Sequence, residues 1–294
     1  MRELIAYRAA QLVLQSLART PLPIAKRLAR LYAATLDRLI PRLRRVGMRN
    51  LEMAFPQLSR THRKLLINGV FRSIGRLLVA LARFPQINSE NVYQWIRYEG
   101  YEHFEAALAR GKGVLFATAH LGNWELSAFA HALLSAPMHV VVRPLDNPLI
   151  DAVVEQRRAL SGNHLIGKRD FSRAILKALH RNEAVGILVD QNSALDNSVF
   201  VDFFGTPACT SLSFARIAAH SGASVIPGFA VWSESESRYI LRFYPAVEMS
   251  GDAGEDTRRI QKTIEAAIAE YPDQWLWIHR RWKTRPPGEP PLYD

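Results

Sequence analysis

A histidine, a glycine and a glutamate share one short segment that is suited to proton transfer. His120, Gly122 and Glu125 follow the apolar run Val114–Thr118, which predicts a buried strand, and they precede an apolar helix. Side chains at the carboxyl ends of strands in α/β sheets commonly contact ligands. A carboxylate on one imidazole nitrogen fixes the tautomer and leaves the other nitrogen to accept a proton from a hydroxyl. The segment therefore predicts His120 as a general base assisted by Glu125.

The spacing of these two residues also permits a structural interpretation. A glutamate in the first turn of a helix interacts favourably with the helix N-terminus, whatever its neighbours are. A histidine beside it can be a hydrogen-bonded structural residue. The position of His120 after a strand favours the catalytic interpretation over the structural one.

The elements that would position this segment form an α/β pattern. After Tyr93, short apolar or β-branched runs alternate with helical stretches, which is typical of a sheet with crossover helices. Strands are predicted at Trp95–Tyr98, Val114–Thr118, Met138–Val142, Val185–Val189, Ser224–Val231 and Tyr239–Phe243. Helices are predicted at about 101–110, 124–135, 147–161, 170–181, 210–221 and 254–270.

The first fifth of the chain is basic and helical. The chain has 294 residues and a net charge of +11, and residues 1–63 hold 13 Lys and Arg against 3 Asp and Glu. Apolar residues at helical spacing alternate with Arg and Lys in Met1–Ala18 and in Leu22–Leu39, which predicts amphipathic helices on an anionic membrane surface. Packing of these helices on the rest of the protein is the alternative. The longest uncharged N-terminal run, Ala9–Ala18, is too short to span a bilayer, which needs about 20 apolar residues.

The overall composition excludes several classes of protein. Hydrophobic residues make up 48% of the chain, which excludes a disordered or collagen-like protein. The single cysteine, Cys209, excludes an internal disulfide framework and a cysteine-rich zinc site.

Four further motifs accompany His120–Glu125 in order along the chain. They are Val142–Pro148, Gly186–Gln191, Val201–Ala208 and Pro272–Lys283. Together they resemble the bacterial lipid A biosynthesis acyltransferases of the lauroyl and myristoyl transferase type, in the lysophospholipid acyltransferase superfamily. The resemblance covers nearly the whole chain. It implies one glycerolipid-acyltransferase-like α/β domain with a mixed central sheet over residues 93–294, preceded by a membrane-associating helical region over residues 1–92.

The resemblance also implies an activity and a location. The activity is transfer of a fatty acyl chain from a thioester, on acyl carrier protein or coenzyme A, to a hydroxyl of a lipid A precursor or related glycolipid. The thioester is a co-substrate, and no metal or other cofactor is expected. The location is the cytoplasmic face of the bacterial inner membrane. Because many relatives have an N-terminal transmembrane span and this chain has interrupted basic helices, peripheral attachment is expected.

The resemblance assigns His120 and Glu125 to catalysis and other residues to substrate binding. The acceptor hydroxyl attacks the thioester directly, so no enzyme nucleophile is needed, and no G-x-S-x-G motif is present. The oxyanion that forms needs donors, and Arg143 or the backbone N–H groups of Gly122 and Asn123 are candidates. Arg143 and the pair Lys168–Arg169 are alternatives for holding a phosphate of either substrate. The remaining candidates are Asp190, expected to form a salt bridge, and the acceptor-site residues Phe204, Gly205 and Thr206, where Phe203 and Phe204 would wall a lipid channel.

The C-terminal segment combines tryptophans with cations. Trp275, Trp277 and Trp282 lie among His279, Arg280, Arg281 and Lys283, which predicts a surface for membrane lipid or an acidic carrier protein. Such a patch can also stack on single-stranded nucleic acid, but the chain has no nucleic-acid-binding signature, so no nucleic acid is expected.

The residues are also compatible with three other functions. Phosphatidylinositol-mannoside and lysophospholipid acyltransferases share much of this motif set. A membrane-binding scaffold without catalysis would keep the fold alone. A hydrolase would use water in place of the acceptor hydroxyl.

Overall fold

A seven-stranded sheet flanked by helices forms the centre of the chain. The structure is a computed structural model that describes residues 1–167 and 171–293. Lys168 and Arg169, which were predicted to bind substrate, lie outside the described residues, as does the predicted first residue of the helix at 170–181. The predicted α/β fold with a mixed sheet is confirmed.

The helices agree closely with the periodicity of the sequence. The side chain of Ser59 caps the long helix α4, and Pro85 follows its end. The helices are α1 Arg2–Arg19, α2 Leu22–Leu39, α3 Pro41–Ala54, α4 Arg60–Arg83, α5 Tyr101–Leu108, α6 Trp124–Leu134, α7 Pro148–Ala159, α8 Phe171–His180, α9 Ser213–Ser221 and α10 Ala253–Glu270.

Each predicted strand is confirmed with small shifts at its ends, and three further strands were missed. The missed strands are β4, which is very short, and the hairpin strands β6 and β7, in which polar residues interrupt or flank the apolar ones. The strands are β1 Ile96–Glu99, β2 Val114–Thr118, β3 His139–Val141, β4 His164–Ile166, β5 Ala184–Leu188, β6 Ser198–Phe203, β7 Thr206–Ser211, β8 Ser224–Ser233 and β9 Arg238–Phe243.

The sheet order places β2 in the middle. The order is β1-β9-β8-β2-β5-β3-β4, and all neighbours are parallel except β8 and β9, which pair antiparallel. Strand β2 pairs with β5 on one side and β8 on the other, and its first four residues are buried. A parallel strand covered on both faces requires a continuous apolar run, which Val114–Ala117 supplies.

The N-terminal helices pack on the rest of the protein. Leu17 of α1 and Ala25 of α2 are fully buried, and they belong to the same hydrophobic cluster as Ile226 of β8. This packing bears out the alternative given above for these helices. Contact of their outer face with lipid stays a prediction. The predicted division of the chain into residues 1–92 and 93–294 also stays a prediction.

One helical stretch in the described chain is long and apolar enough to cross a membrane. It covers Arg60–Gln86, and its most apolar window has a mean hydropathy of 1.6. Inside the fold, 56% of that window is buried. A core helix of a soluble protein has the same properties, so this stretch by itself does not show a membrane span.

Candidate active site

The loop that carries His120 is held between β8 and the C-terminal segment. Gly122 has a φ of +65°, and a Cβ on it would lie 1.9 Å from the carbonyl oxygen of Ala230, so only glycine fits. The backbone N–H of Gly122 donates to the carbonyl of Gln274, and that of Asn123 donates to the carbonyl of Ala230. Because both N–H groups are already bonded, the prediction that they bind an oxyanion is wrong.

Asp190 positions His120. The Asp190 carboxylate accepts hydrogen bonds from Nδ1 of His120 at 2.9 Å and from its backbone N–H at 2.9 Å. The indole Nε1 of Trp275 donates to the same carboxylate at 2.7 Å. Asp190 is 1% exposed. Burial alone would raise its pKa, but the charge and hydrogen bonds of His120, with that of Trp275, outweigh burial and lower the pKa to about 2.

The other nitrogen of His120 is arranged as a proton acceptor. With Nδ1–H donating to Asp190, Nε2 carries a lone pair, and the side-chain amide nitrogen of Gln191 lies 3.2 Å from it, in position to donate. The Trp124 ring packs edge-on against the imidazole, with ring centroids 4.9 Å apart. The imidazole is therefore fixed in orientation and tautomer while 15% of its side chain stays exposed.

Glu125 has a different partner from the predicted one. Its two carboxylate oxygens accept hydrogen bonds of 2.6 Å and 2.8 Å from the guanidinium of Arg158 in α7. The sequence prediction that Glu125 binds the His120 imidazole is wrong, because Asp190 occupies Nδ1 and Gln191 lies at Nε2. Asp190, predicted to form a salt bridge with an arginine or to bind substrate, holds the catalytic-loop histidine instead.

A cavity of about 810 Å³ opens beside His120 and extends into the fold between the sheet and α6. This volume lies within the range of roughly 300–1,000 Å³ that is usual for small-molecule sites. The polar residues of the wall near His120 include Glu125, Arg143, Arg158 and Gln191. The rest of the wall is mainly apolar and includes Phe116, Phe129, Met138, Val140, Leu165, Ile187, Leu188, Gly228, Leu241 and Phe243.

Aromatic rings surround a buried histidine in the wall of this cavity. His131 is 2% exposed, and its ring contacts those of Phe104, Phe116 and Phe243. Its Nδ1 lies 2.9 Å from the hydroxyl of Tyr98. Burial lowers the pKa of His131 to about 4, so this histidine is neutral at physiological pH.

Two other predicted binding residues have contrasting positions. Arg143, in the loop after β3, lines the cavity, and it forms no ion pair with any carboxylate of residues 1–167 and 171–293. Asn123 is 0% exposed, and its side-chain oxygen accepts the backbone N–H of Leu126 as the cap of α6. Asn123 is therefore a structural residue, and its buried side chain does not reach the cavity surface as the prediction of substrate contact required.

The predicted acceptor-site residues form a hairpin turn away from the cavity. Phe204 and Gly205 both have positive φ, of 54° and 73°, in the two-residue turn between β6 and β7. Phe204 packs on Phe55 and Trp277, and the carbonyl of Thr206 accepts a hydrogen bond from Trp282. The prediction that these residues wall the lipid channel is wrong. Nothing lies within 4 Å of a Cβ on Gly205, so its φ, and not a close approach, favours glycine.

The C-terminal tryptophans are in the core. Trp275, Trp277 and Trp282 are 0–1% exposed, so the predicted membrane or carrier surface is wrong. Arg281 is also fully buried, and it donates to the carbonyls of Gln191 and Cys209 and to side-chain oxygens. The segment instead holds two residues of the site in place, because Trp275 donates to Asp190 and Arg281 donates to Gln191.

Fold and site together define a class of protein. A mixed α/β sheet carries a histidine, held by a buried carboxylate, at the end of its central strand, and that histidine lines a largely apolar cavity. These are the features of an acyltransferase for long-chain lipid substrates.

Comparison with known proteins gives the family. The chain belongs to the bacterial lipid A biosynthesis acyltransferases, whose family model matches residues 3–284. It is 31% identical over 277 residues to the lipid A biosynthesis palmitoleoyltransferase of Escherichia coli K12, which covers 93% of this chain and 89% of the relative. It is 30% identical over 285 residues to the lauroyltransferase of the same organism, covering 96% and 92% of the two chains, and 25% identical to the myristoyltransferase, covering 91% and 82%. The chain is thus an acyltransferase of lipid A biosynthesis.

Proposed function

We propose that this protein transfers a fatty acyl chain from an acyl thioester to a hydroxyl of a lipid A precursor, with His120 as the general base. One observation carries the proposal: the buried carboxylate of Asp190 holds Nδ1 of His120, which leaves Nε2 of this cavity-lining residue as the ring nitrogen that can accept a proton when the imidazole is neutral. This arrangement suits removal of a proton from a hydroxyl at the mouth of the cavity.

The transfer needs no covalent enzyme intermediate. The acceptor hydroxyl gives its proton to Nε2 of His120 as its oxygen attacks the thioester carbonyl. The tetrahedral intermediate expels the thiolate, which takes the proton from the imidazolium. Asp190 stabilises the imidazolium between the two steps because it stays ionised at neutral pH.

Arg143 is the remaining candidate for binding the oxyanion. It lines the cavity near His120, whereas the backbone N–H groups of Gly122 and Asn123 are occupied. A guanidinium without a carboxylate partner in the described chain can donate to the developing negative charge. Glu125 and Arg158 also line the cavity, and their mutual hydrogen bonds hold both side chains in place.

The acyl chain fits the apolar part of the cavity. The wall from Ile187 and Leu188 inward to Phe116 and Phe243 is hydrophobic, and burial of acyl methylenes there gains about 0.8 kcal/mol each.

The direct test is the product of the purified protein. Incubation with a tetraacylated lipid A precursor and either acyl carrier protein or coenzyme A thioesters, followed by mass spectrometry, should show addition of one acyl chain. We expect acyl carrier protein as the donor, because it is acidic and the first 63 residues carry a net +10. Release of free fatty acid that does not change when the acceptor is added would indicate a hydrolase and contradict the proposal.

We also propose peripheral binding to the cytoplasmic face of the inner membrane through the exposed face of α1. Leu4, Ile5 and Leu12 of α1 are 51–68% exposed, and Arg8 lies on the same side of the helix. Exposed apolar side chains beside cations are suited to an anionic lipid surface.

This surface continues to the cavity mouth. The side chain of Asn147, at the start of α7, donates a 2.9 Å hydrogen bond to the carbonyl of Glu3 in α1. Leu145, two residues before Asn147, is 42% exposed and lines the cavity. A lipid acceptor in the membrane would therefore be close to His120.

Substitution tests this membrane surface better than truncation does, because α1 and α2 supply core residues. The variant Leu4→Ser with Leu12→Ser should float less with vesicles containing phosphatidylglycerol, and added salt should weaken flotation of the parent protein. Leu195→Ser, at a leucine that is 60% exposed in another loop, is the matched control. Equal flotation of all three proteins would contradict membrane binding through α1.

A further inference from the structure

A second cavity, of about 400 Å³, lies between the N-terminal helices and the β8–β9 hairpin. Helices α2 and α4 form one side of it, and residues 232–239 form the other. Within the described ranges it shares no lining residue with the cavity beside His120. It is therefore a separate site that the acyl-transfer mechanism does not use.

The wall of the second cavity is strongly basic. The only carboxylate that lines it among the described residues, Glu234, pairs with Arg76, and the Glu234 side chain is 77% exposed, so water screens the pair. The cations of the wall are Lys26, Arg30, Arg72, Arg76, Arg83 and Arg238.

Three of these cations, Lys26, Arg30 and Arg83, form no ion pair within the described residues, whereas Arg72 pairs with Asp273, Arg76 with Glu234 and Arg238 with Glu236. Arg83 donates to the carbonyl of Thr20 and to the side-chain oxygen of Gln86, which are both neutral. Its buried Nε has no hydrogen-bond partner in the part of the chain that the structure describes, and burial lowers the pKa of this guanidinium. Lys26 and Arg30 form no ion pair with any carboxylate of residues 1–167 and 171–293. Unpaired like charges in one cavity wall repel one another, and an anion in the cavity would relieve the repulsion.

An aromatic ring and close helix packing hold the cations in place. The guanidinium of Arg76 lies 4.6 Å and the ammonium of Lys26 lies 5.5 Å from the centre of the Trp232 ring. A Cβ on Gly75 of α4 would lie 3.1 Å from the carbonyl oxygen of Ala29 in α2, so the two helices are in close contact beside the cavity. The cationic groups are thus preorganised on two packed helices.

We propose that this second cavity binds a phosphate ester. One guanidinium can donate two parallel N–H groups to two oxygens of a phosphate. Several guanidinium groups from α2, α4 and β9 line this cavity. The volume accommodates a phosphate together with a substituent the size of glycerol, and the Trp232 ring supplies an apolar wall for that substituent. Either a soluble phosphate ester or the head group of an anionic phospholipid presents this chemistry. The proposal does not depend on the acyl-transfer reaction.

Binding can be measured directly by calorimetry and vesicle flotation. The probes are sn-glycerol 3-phosphate in solution and vesicles of phosphatidylcholine with or without phosphatidylglycerol. The test variant is Lys26→Gln with Arg30→Gln, which removes two cations that form no ion pair with a described carboxylate. The matched control is Arg27→Gln with Arg38→Gln, which removes two exposed cations of the same helix that do not line the cavity.

The test variant should bind the preferred probe at least tenfold more weakly than the parent protein, and the control should bind it within about twofold. Loss of sn-glycerol 3-phosphate binding would identify a soluble ligand, and loss of phosphatidylglycerol binding alone would identify a lipid head group. Equal binding by the two double variants, or no binding of either probe by the parent protein, would overturn the proposal. Because the readout is binding, this result is independent of whether the protein transfers acyl groups.

Discussion

Asp190 binds both the backbone N–H and the ring Nδ1 of His120, each at 2.9 Å. The carboxylate thereby fixes the position of the loop as well as the tautomer of the base. Trp275 donates to the same carboxylate and comes from the C-terminal segment, so residues from three distant parts of the chain meet at one buried charge. The geometry makes Asp190 the positioning residue of the site.

Asp190→Asn should lower kcat by up to about 10⁴-fold, the size of the effect of the equivalent change in serine proteases, with little change in KM. The asparagine oxygen can still accept the backbone N–H, but its amide NH₂ would donate to Nδ1 and place the imidazole proton on Nε2. Steady-state kinetics with acyl carrier protein thioesters measure this split between kcat and KM.

Asp256→Asn is the control for that substitution. Asp256 is a second fully buried aspartate, and its carboxylate accepts hydrogen bonds from Ser250 and Gly251, outside the site. It should lower stability while leaving kcat of the folded protein near the parent value. A similar kcat loss in both variants would mean that Asp190 acts only on folding.

Gly122→Ala should disrupt the loop that carries His120. The new Cβ would lie 1.9 Å from the Ala230 carbonyl oxygen, so the loop or β8 must move. Gly111→Ala is a matched control, because Gly111 has a φ of +70° and nothing within 4 Å of its Cβ. Its cost is the left-handed backbone alone, about 1–2 kcal/mol. Gly122→Ala should lose more stability, measured by urea unfolding, and more activity than Gly111→Ala. Equal losses in the two variants would refute the close contact.

Gly228→Ala should shift the preference of the enzyme toward shorter acyl chains. Gly228 lines the inner cavity, and a Cβ there would lie 3.6 Å from the Phe116 ring, so a methyl group fits without a clash. Each methylene that no longer fits loses about 0.8 kcal/mol, which is about fourfold in kcat/KM. A series of donors differing by two carbons measures the ratio. An unchanged ratio of long to short donors would place the acyl chain elsewhere.

The stability of the protein should fall between pH 7 and pH 5, and His131 should account for part of the loss. Burial lowers its pKa from 6.5 to about 4 in the folded protein, so the unfolded chain binds more protons in this range. The free energy of unfolding therefore decreases as the pH falls, by about 2 kcal/mol from His131 alone between pH 7 and pH 5.

His131→Asn tests that assignment, since an amide can still pair with the Tyr98 hydroxyl but does not titrate in this range. Urea unfolding at both pH values should show a smaller loss in the variant. His279, whose pKa burial also lowers to about 4, contributes to the loss in the same direction. An identical loss in the variant and the parent protein would assign the effect to other groups.

The elements were largely predictable from sequence because they depend on local patterns. The continuous apolar run Val114–Thr118 predicts β2 with its observed ends. The hairpin of β6 and β7 was missed, because β7 contains Pro207 and several polar residues and the turn places Phe204, which is not a glycine, at positive φ.

The partners within the site were not predictable, because they depend on strand order. Glu125 is five residues from His120, and Asp190 is seventy residues away at the end of a strand that pairs with β2. The sequence placed both His120 and Asp190 at strand ends, but it did not state that β2 and β5 are neighbours. The same limit explains the C-terminal tryptophans, whose composition is typical of a membrane surface and whose tertiary contacts bury them.

Acyl transfer by His120→Ala tests the central claim most directly. The variant and the parent protein are compared at equal concentration, with an acyl carrier protein thioester and a lipid A precursor, and thermal unfolding confirms that both are folded. Loss of the base predicts a rate at least 10²-fold lower, because general-base catalysis contributes about 10²–10⁴-fold. A folded variant with a rate within tenfold of the parent protein would contradict the assignment of His120 as the base.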